Sequence, residues 1–308
     1  MSSPDKFPPV ILPVSPISSF VRRHRFSTFV VLTFVLTWLP WLTVAWMLRA
    51  GRPPVVTVLV LIGGFGPFLA AVLVAAAGGD LRSWLRNLID PGATLRVWAA
   101  AVLVPVVLYV LALGVFLLAG GSFDRTSVLP AAAVPAVVVA TFGRGGLEEP
   151  GWRGMALPVL QRRIGAFRAS IVIGVIWALW HVPLFVMPGS SQAGTPFWLY
   201  APAVVGISVI ATWLYNAAGG RVLVPVVFHT LSNAVSVTTA TGVVGGGVVP
   251  QVGLLVVVWV VVVIIAWRYG TDRLASNPLP DGGLDFATID DSRSSGTYRG
   301  DALGDDQA

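Results

Sequence analysis

Cysteine is absent from all 308 residues, lysine occurs once against nineteen arginines, and glutamate occurs only twice. Without cysteine there is no disulfide, no thiolate nucleophile and no cysteine metal site, which leaves histidine and carboxylate chemistry. Charge of either sign is scarce: 11% of residues are charged, 56% are hydrophobic and the mean hydropathy is +0.82. Soluble domains carry about a quarter charged residues, so this balance excludes an ordinary soluble protein. The expected fold is an all-α, polytopic membrane bundle of about eight transmembrane helices. It occupies residues 26–269 as one membrane domain, between a disordered basic arm (1–25) and a disordered acidic tail (270–308).

The net charge of +6 hides an asymmetry, because residues 270–308 hold eight Asp and three Arg. That segment is net −5 and the rest of the chain +11. Its arginines are scattered singly between apolar runs, which fits a lipid bilayer with anionic headgroups and does not fit nucleic acid.

Apolar runs predict spans at Phe26–Leu48, Pro54–Ala77 and Val97–Ala119, a fourth beginning near Val128, and four more at Phe167–Met187, Pro196–Ala217, Val222–Ala240 and Val249–Trp267. The first is too long for the core of a cleaved signal peptide. Between the second and third, DLRSWLRNLID (80–90) puts Leu81, Trp84, Leu85 and Leu88 on one face and Arg82 and Arg86 on the other, which predicts an interfacial amphipathic helix. The fourth span either stops at Gly143–Gly146 or continues, kinked by those glycines and Pro150, to Arg162 and Arg163; the kinked continuation is the expectation. With eight spans and an internal N-terminus, Arg49, Arg52 and Arg125 fall outside and twelve other arginines inside. This is the positive-inside pattern for an inner (plasma) membrane protein with both termini cytoplasmic.

Within the spans, groups able to do chemistry are few, and they fall into three clusters at helical spacing: Glu148, Glu149 and Arg153; Trp177 and His181; His229 and Asn233. Both glutamates of the chain stand side by side in LEEPGWR, where apolar surroundings make a carboxylate costly. At about 1.5 Å per residue, Glu148, His181 and His229 lie roughly 21, 20 and 12 Å from Arg162, Arg168 and Arg221. The three clusters can therefore meet at one depth. Structurally, such groups also serve as interhelical hydrogen bonds or a neutralised Glu–Arg tie, and the tryptophans as packing. Chemically, Glu148 suits a general base that takes a proton from water, His181 an orienting group for that water, and His229 with Asn233 the donors to an oxyanion. Glu149 with Arg153 is the tie that holds the kinked helix. The same atoms offer a metal alternative, Zn²⁺ on Glu148, His181 and His229 with a fourth position open to water, although no HExxH helix is present.

These motifs resemble those of the CPBP (Abi) intramembrane endopeptidases, a family that includes type II CAAX prenyl proteases and lysostaphin-resistance-A-like proteins. Its EExxxR pattern is matched by Glu148, Glu149 and Arg153, its second motif by Trp177 and His181, and its third by His229 and Asn233. The eukaryotic enzymes commonly have Phe where Trp177 stands, which bears on pocket shape. Roughly residues 130–240 carry the resemblance. It implies eight spans, a cytosol-facing intramembrane cavity, water activated by Glu148 and His181, and an oxyanion stabilised by His229 and Asn233. The expected partner is a membrane-associated peptide or protein substrate; whether it is prenylated is left open. Two other readings compete: a non-catalytic bacteriocin-immunity or peptide-maturation partner, and a proton-coupled transporter using Glu148 and the histidines as a relay.

Overall fold

The structure, a computed structural model, describes residues 15–52 and 56–286. A short helix α1 (Pro16–Arg23) leads into α2 (Arg25–Arg49), the first span. The second span is broken: α3 (Val56–Gly64) and α4 (Gly66–Gly78) meet at 51°. The break lies where Gly66 packs on Thr33 and Thr37 of α2, so closely that a side chain there would strike the Thr37 hydroxyl. Helix α5 (Leu81–Leu88) then lies across the end of the bundle and α6 (Leu95–Leu118) forms the third span.

The fourth span runs from Arg125 to Ile164 as a chain of unlike turns. After α7 (Val134–Arg144) come a 3-10 turn (Gly146–Glu148), one α turn α8 (Glu149–Gly151), a π turn (Trp152–Ala156) and α9 (Leu157–Ile164). The expected kinked continuation is thus what forms. Proline at 150 and glycines at 145, 146 and 151 interrupt regular α bonding there, and π turns commonly accompany functional sites.

Helices α10 (Ala166–Trp180) and α11 (Val182–Val186) make the fifth span, followed by α12 (Phe197–Ala217), α13 (Leu223–Ala240) and α14 (Val249–Tyr269). Seven described helices are long and apolar enough to cross a membrane, eight with the bent pair α3–α4 counted as one span. The protein is a polytopic helical membrane bundle. The sole strand pairing among the described residues joins β1 (Ser122–Phe123) to β2 (Val243–Val244) at one end.

Three expectations need correction. Residues 16–23 of the basic arm are helical, capped by the Ser15 hydroxyl accepting from Ser18 N at 3.1 Å. Residues 270–286 of the acidic tail are packed. Leu274 and Leu284 are buried, Ala166 and Phe167 donate their backbone N–H to the carbonyls of Asp272 and Thr271, and Asn277 Nδ2 donates to the carbonyls of Asn216 and Ala217. A few well-placed leucines and backbone hydrogen bonds outweigh the polar composition. Residues 1–14 and 287–308 of those two segments lie outside the described residues. Finally, α5 turns Trp84 and Leu88 into the protein, with Trp84 Nε1 donating to the Gly154 carbonyl of the π turn at 3.1 Å, while Leu85 stays exposed. Its apolar face covers the broken helix as well as the interface.

Candidate active site

The broken span delivers both glutamates to the interior, where Glu148, Glu149 and Arg153 are all buried. Glycine makes this approach feasible. A Cβ on Gly145 would strike Asn233 Nδ2 and come within 2.9 Å of His229 Nε2, and one on Gly151 would stand 2.6 Å from the Pro67 carbonyl oxygen. The break of the fourth span therefore nests on α13 at one side and against α4, just past the break of the second span, at the other.

The two carboxylates take different partners. Glu148 Oε2 accepts from Trp177 Nε1 at 2.7 Å. Glu149 Oε1 accepts from Arg153 Nη1 at 3.1 Å and from His229 Nδ1 at 2.8 Å. Arg153 also donates to the Ser208 carbonyl at 3.3 Å, and its guanidinium lies 5.0 Å from the Trp177 ring centre. The Glu149–Arg153 tie is present, and the same carboxylate oxygen holds His229, a partner that spacing did not indicate.

His181 Nδ1 lies 2.8 Å from the Trp177 carbonyl oxygen. A carbonyl only accepts, so Nδ1 carries the hydrogen and the neutral ring presents its lone pair at Nε2. The imidazole stands edge-on to Trp180 and to Tyr200, with ring centres at 4.6 and 5.5 Å. Behind it, Trp180 Nε1 donates to Thr37 Oγ1 at 2.8 Å and Trp38 Nε1 to the Trp180 carbonyl at 3.0 Å, which ties this part of α10 to the first span. His229 meets Trp177 edge-on at 5.2 Å. Asn233, half-buried one turn on, faces the backbone of Gly145 beside His229. All seven residues picked from the sequence thus gather in one place.

Gly145 and Tyr200 belong to this neighbourhood and were not singled out. The glycine was read only as a helix breaker, and a lone tyrosine at the start of a span carries no spacing signal.

Among the described residues no group of three or more His, Asp or Glu side chains is arranged to hold a metal ion. Each of Glu148, His181 and His229 is engaged at one atom, Glu148 Oε2 by the Trp177 indole, His181 Nδ1 by the Trp177 carbonyl and His229 Nδ1 by Glu149, which leaves Nε2 of each ring as the nitrogen that a metal would meet. A separate cavity of about 320 Å³ between α10, α12 and α14 is lined by apolar side chains such as Leu179, Phe197 and Trp259 and by none of the site residues.

The fold and the site define a class: a polytopic helical membrane protein that gathers carboxylates, imidazoles and an amide side chain in its interior. Comparison with known proteins narrows that class. Residues 128–235 match the family described as type II CAAX prenyl endopeptidase Rce1-like. The chain is 25% identical over 271 residues to CAAX prenyl protease 2 of Methanococcus maripaludis, covering 79% of this chain and 96% of that protein. It is 27% identical over 173 residues to lysostaphin resistance protein A of Staphylococcus haemolyticus, covering 54% of this chain and 46% of that protein. The resemblance drawn from the three motifs is borne out by these matches, and the family match supports membrane endopeptidase activity, a hydrolase function.

Proposed function

We propose that this chain is an intramembrane endopeptidase that hydrolyses a peptide bond in a membrane-associated protein or peptide, using water activated by Glu148 and His181. One observation carries the reading: Glu148, His181 and His229 are buried around a single tryptophan, each with one polar atom tied down.

Glu148 takes a proton from a water that also donates to the lone pair of His181 Nε2, and the hydroxide adds to the peptide carbonyl carbon. The carbonyl π electrons move to oxygen, and Asn233 Nδ2 donates to the oxyanion. His229 donates from Nε2 when its ring is protonated at both nitrogens, the positive charge being matched by the Glu149 carboxylate at Nδ1. The tetrahedral intermediate then expels the amine, which receives the proton held by Glu148. Replacing Glu148 or His181 by Ala should reduce cleavage of an internally quenched, prenylated peptide to background in proteoliposomes. Retained cleavage in both variants would overturn the reading. A dead Glu149→Gln beside an active Glu148→Gln would instead exchange the roles of the two glutamates.

The name of the methanococcal relative points to a CAAX-type prenylated substrate, and a matched peptide without the prenyl group tests that choice. The zinc alternative is tested by chelation: full activity in a metal-free preparation removes it, and loss reversed by added zinc reinstates it. The staphylococcal relative's name favours a second reading, a non-catalytic resistance or immunity partner, whose phenotype would survive Glu148→Ala. We place both termini in the cytoplasm of a cell whose inner (plasma) membrane holds the protein. Because the chain has no cysteine, single cysteines at Arg125 and Arg163 can be labelled from either side, and labelling of position 163 from outside would reverse the topology.

A further inference from the structure

Trp177 touches four groups of the site. Its indole N–H donates to Glu148 Oε2 at 2.7 Å, its carbonyl accepts from His181 Nδ1 at 2.8 Å, its ring edge meets His229 at 5.2 Å, and the Arg153 guanidinium lies 5.0 Å from its ring centre. The side chain is buried and cannot swing to another position. One turn earlier, Gly174 brings α10 so close to α12 that a Cβ there would stand 2.7 Å from Val205 Cα. Two turns earlier, the Ser170 carbonyl accepts from Ser208 Oγ at 2.9 Å.

We propose that Trp177 is the positioning residue for the catalytic carboxylate: its indole N–H fixes one oxygen of Glu148 and so turns the other toward the water that attacks. This inference rests on the endopeptidase reading and adds a donor that an aromatic of the phenylalanine type lacks. The ring of a phenylalanine would fill much of the same space, pack against His229 and Arg153 and leave the backbone carbonyl on His181 unchanged. The bond to Glu148 would be lost, together with the packing of the part of the ring that phenylalanine lacks. Indole N–H is a donor and never an acceptor, so the contact suits the ionised carboxylate, and a charge-assisted bond of this kind is stronger than a neutral one.

The experiment compares wild type, Trp177→Phe and Glu148→Ala as full-length protein in nanodiscs, with ¹⁵N-indole tryptophan throughout. The Trp177 indole signal is the one missing from Trp177→Phe among those of the chain's twelve tryptophans. In Glu148→Ala that signal should move to the position of an indole without an acceptor, while those of tryptophans that do not touch Glu148, such as Trp38, Trp41 and Trp84, stay in place. With the quenched prenylated peptide, Trp177→Phe should lower kcat about tenfold to a hundredfold, the effect of losing a hydrogen bond to a charged group, with little change in KM and a modest fall in the thermal melt from the smaller ring. An indole signal indifferent to Glu148→Ala, or a wild-type kcat in Trp177→Phe, overturns the inference and leaves the endopeptidase reading standing. Wild-type cleavage by Glu148→Ala would instead remove Glu148 as the base and overturn the inference with it, whereas failure of the wild-type protein to cleave any membrane-associated peptide would remove the endopeptidase reading itself.

Discussion

Among the described residues two carboxylate–arginine pairs are buried, and they differ in their surroundings. Arg25 pairs with Asp80 where α2 meets the turn after α4. Asp80 accepts in addition from the backbone N–H of Asp285 at 3.2 Å, and the Arg25 guanidinium lies 5.8 Å from the Phe286 ring, so the C-terminal segment closes over the pair. Among the described residues no imidazole bonds to this pair, and Asp80 accepts from a guanidinium and a backbone N–H. Arg153 pairs with Glu149 in the middle of the bundle, but there the carboxylate also orients His229, and Glu149 Oε2 has no hydrogen-bond partner among the described residues. Buried charge by itself therefore does not mark a reaction centre. What separates the second pair is a titratable ring held at one nitrogen and presented at the other.

The comparison is broken most severely at Glu149. Glu149→Gln should cost activity and stability together, because it leaves Arg153 buried without its counter-ion and His229 without its anionic partner. Removing one member of a buried pair costs about 3–5 kcal/mol, and cleavage should fall to background. Glu148→Gln should lose cleavage with a nearly unchanged melt, since Glu148 is tied to an indole and balances no cation directly. Equal melting losses in the two variants would show that both carboxylates serve the fold.

Asp80→Asn sharpens the other side. It should destabilise by about the same 3–5 kcal/mol, yet activity per folded molecule should stay near wild type, because the pair lies apart from the site and distant sites act independently. The double change Arg25→Met with Asp80→Leu should recover much of the stability, which thermal unfolding in detergent would read. A catalytic loss in folded Asp80→Asn protein would tie the two regions together.

The eight spans were legible because hydropathy needs only composition over about twenty residues. The three motifs were legible because a helix brings i and i+4 to one face. What could not be read is which glutamate faces which partner. Between Gly146 and Ala156 the chain passes through 3-10, α and π turns, each with its own residues per turn, so no single period projects Glu148 onto Trp177 and Glu149 onto His229. The packed segment 270–286 was hidden for a different reason. Its Asp, Gly, Asn and Pro content matches a solvated polymer, and what holds it in place is a few buried side chains such as Leu274 and Leu284 with scattered polar contacts to distant helix ends, none of which has a sequence period.

That segment supplies a smaller prediction. Leu284→Ala removes a buried side chain beside the Arg25–Asp80 pair and should cost about 2–3 kcal/mol, at the lower end for a core leucine, because a strap at the end of the bundle relaxes more easily than its centre. The loss should not add fully to that of Asp80→Asn, since both loosen the segment carrying Asp285. Full additivity in the double variant would show that the segment and the ion pair are energetically separate.

A smaller change in stability than at Leu284 is expected at Gly145, where activity reports more than melting does. A methyl group there cannot be accommodated without moving Asn233 or the His229 ring, whose Nε2 would lie 2.9 Å from it. Both belong to α13, so the strain falls on the proposed oxyanion donors and leaves the Arg153 tie intact. Overpacking of this kind costs about 1–3 kcal/mol, and if it is spent on displacing those donors, kcat should fall about tenfold or more while the melt shifts little. Gly143, two residues earlier on α7, has open space around its Cβ position and is the control: Gly143→Ala should leave kcat unchanged. If Gly145→Ala cleaves as fast as Gly143→Ala, His229 and Asn233 do not work from the positions seen here, and the oxyanion must be met elsewhere.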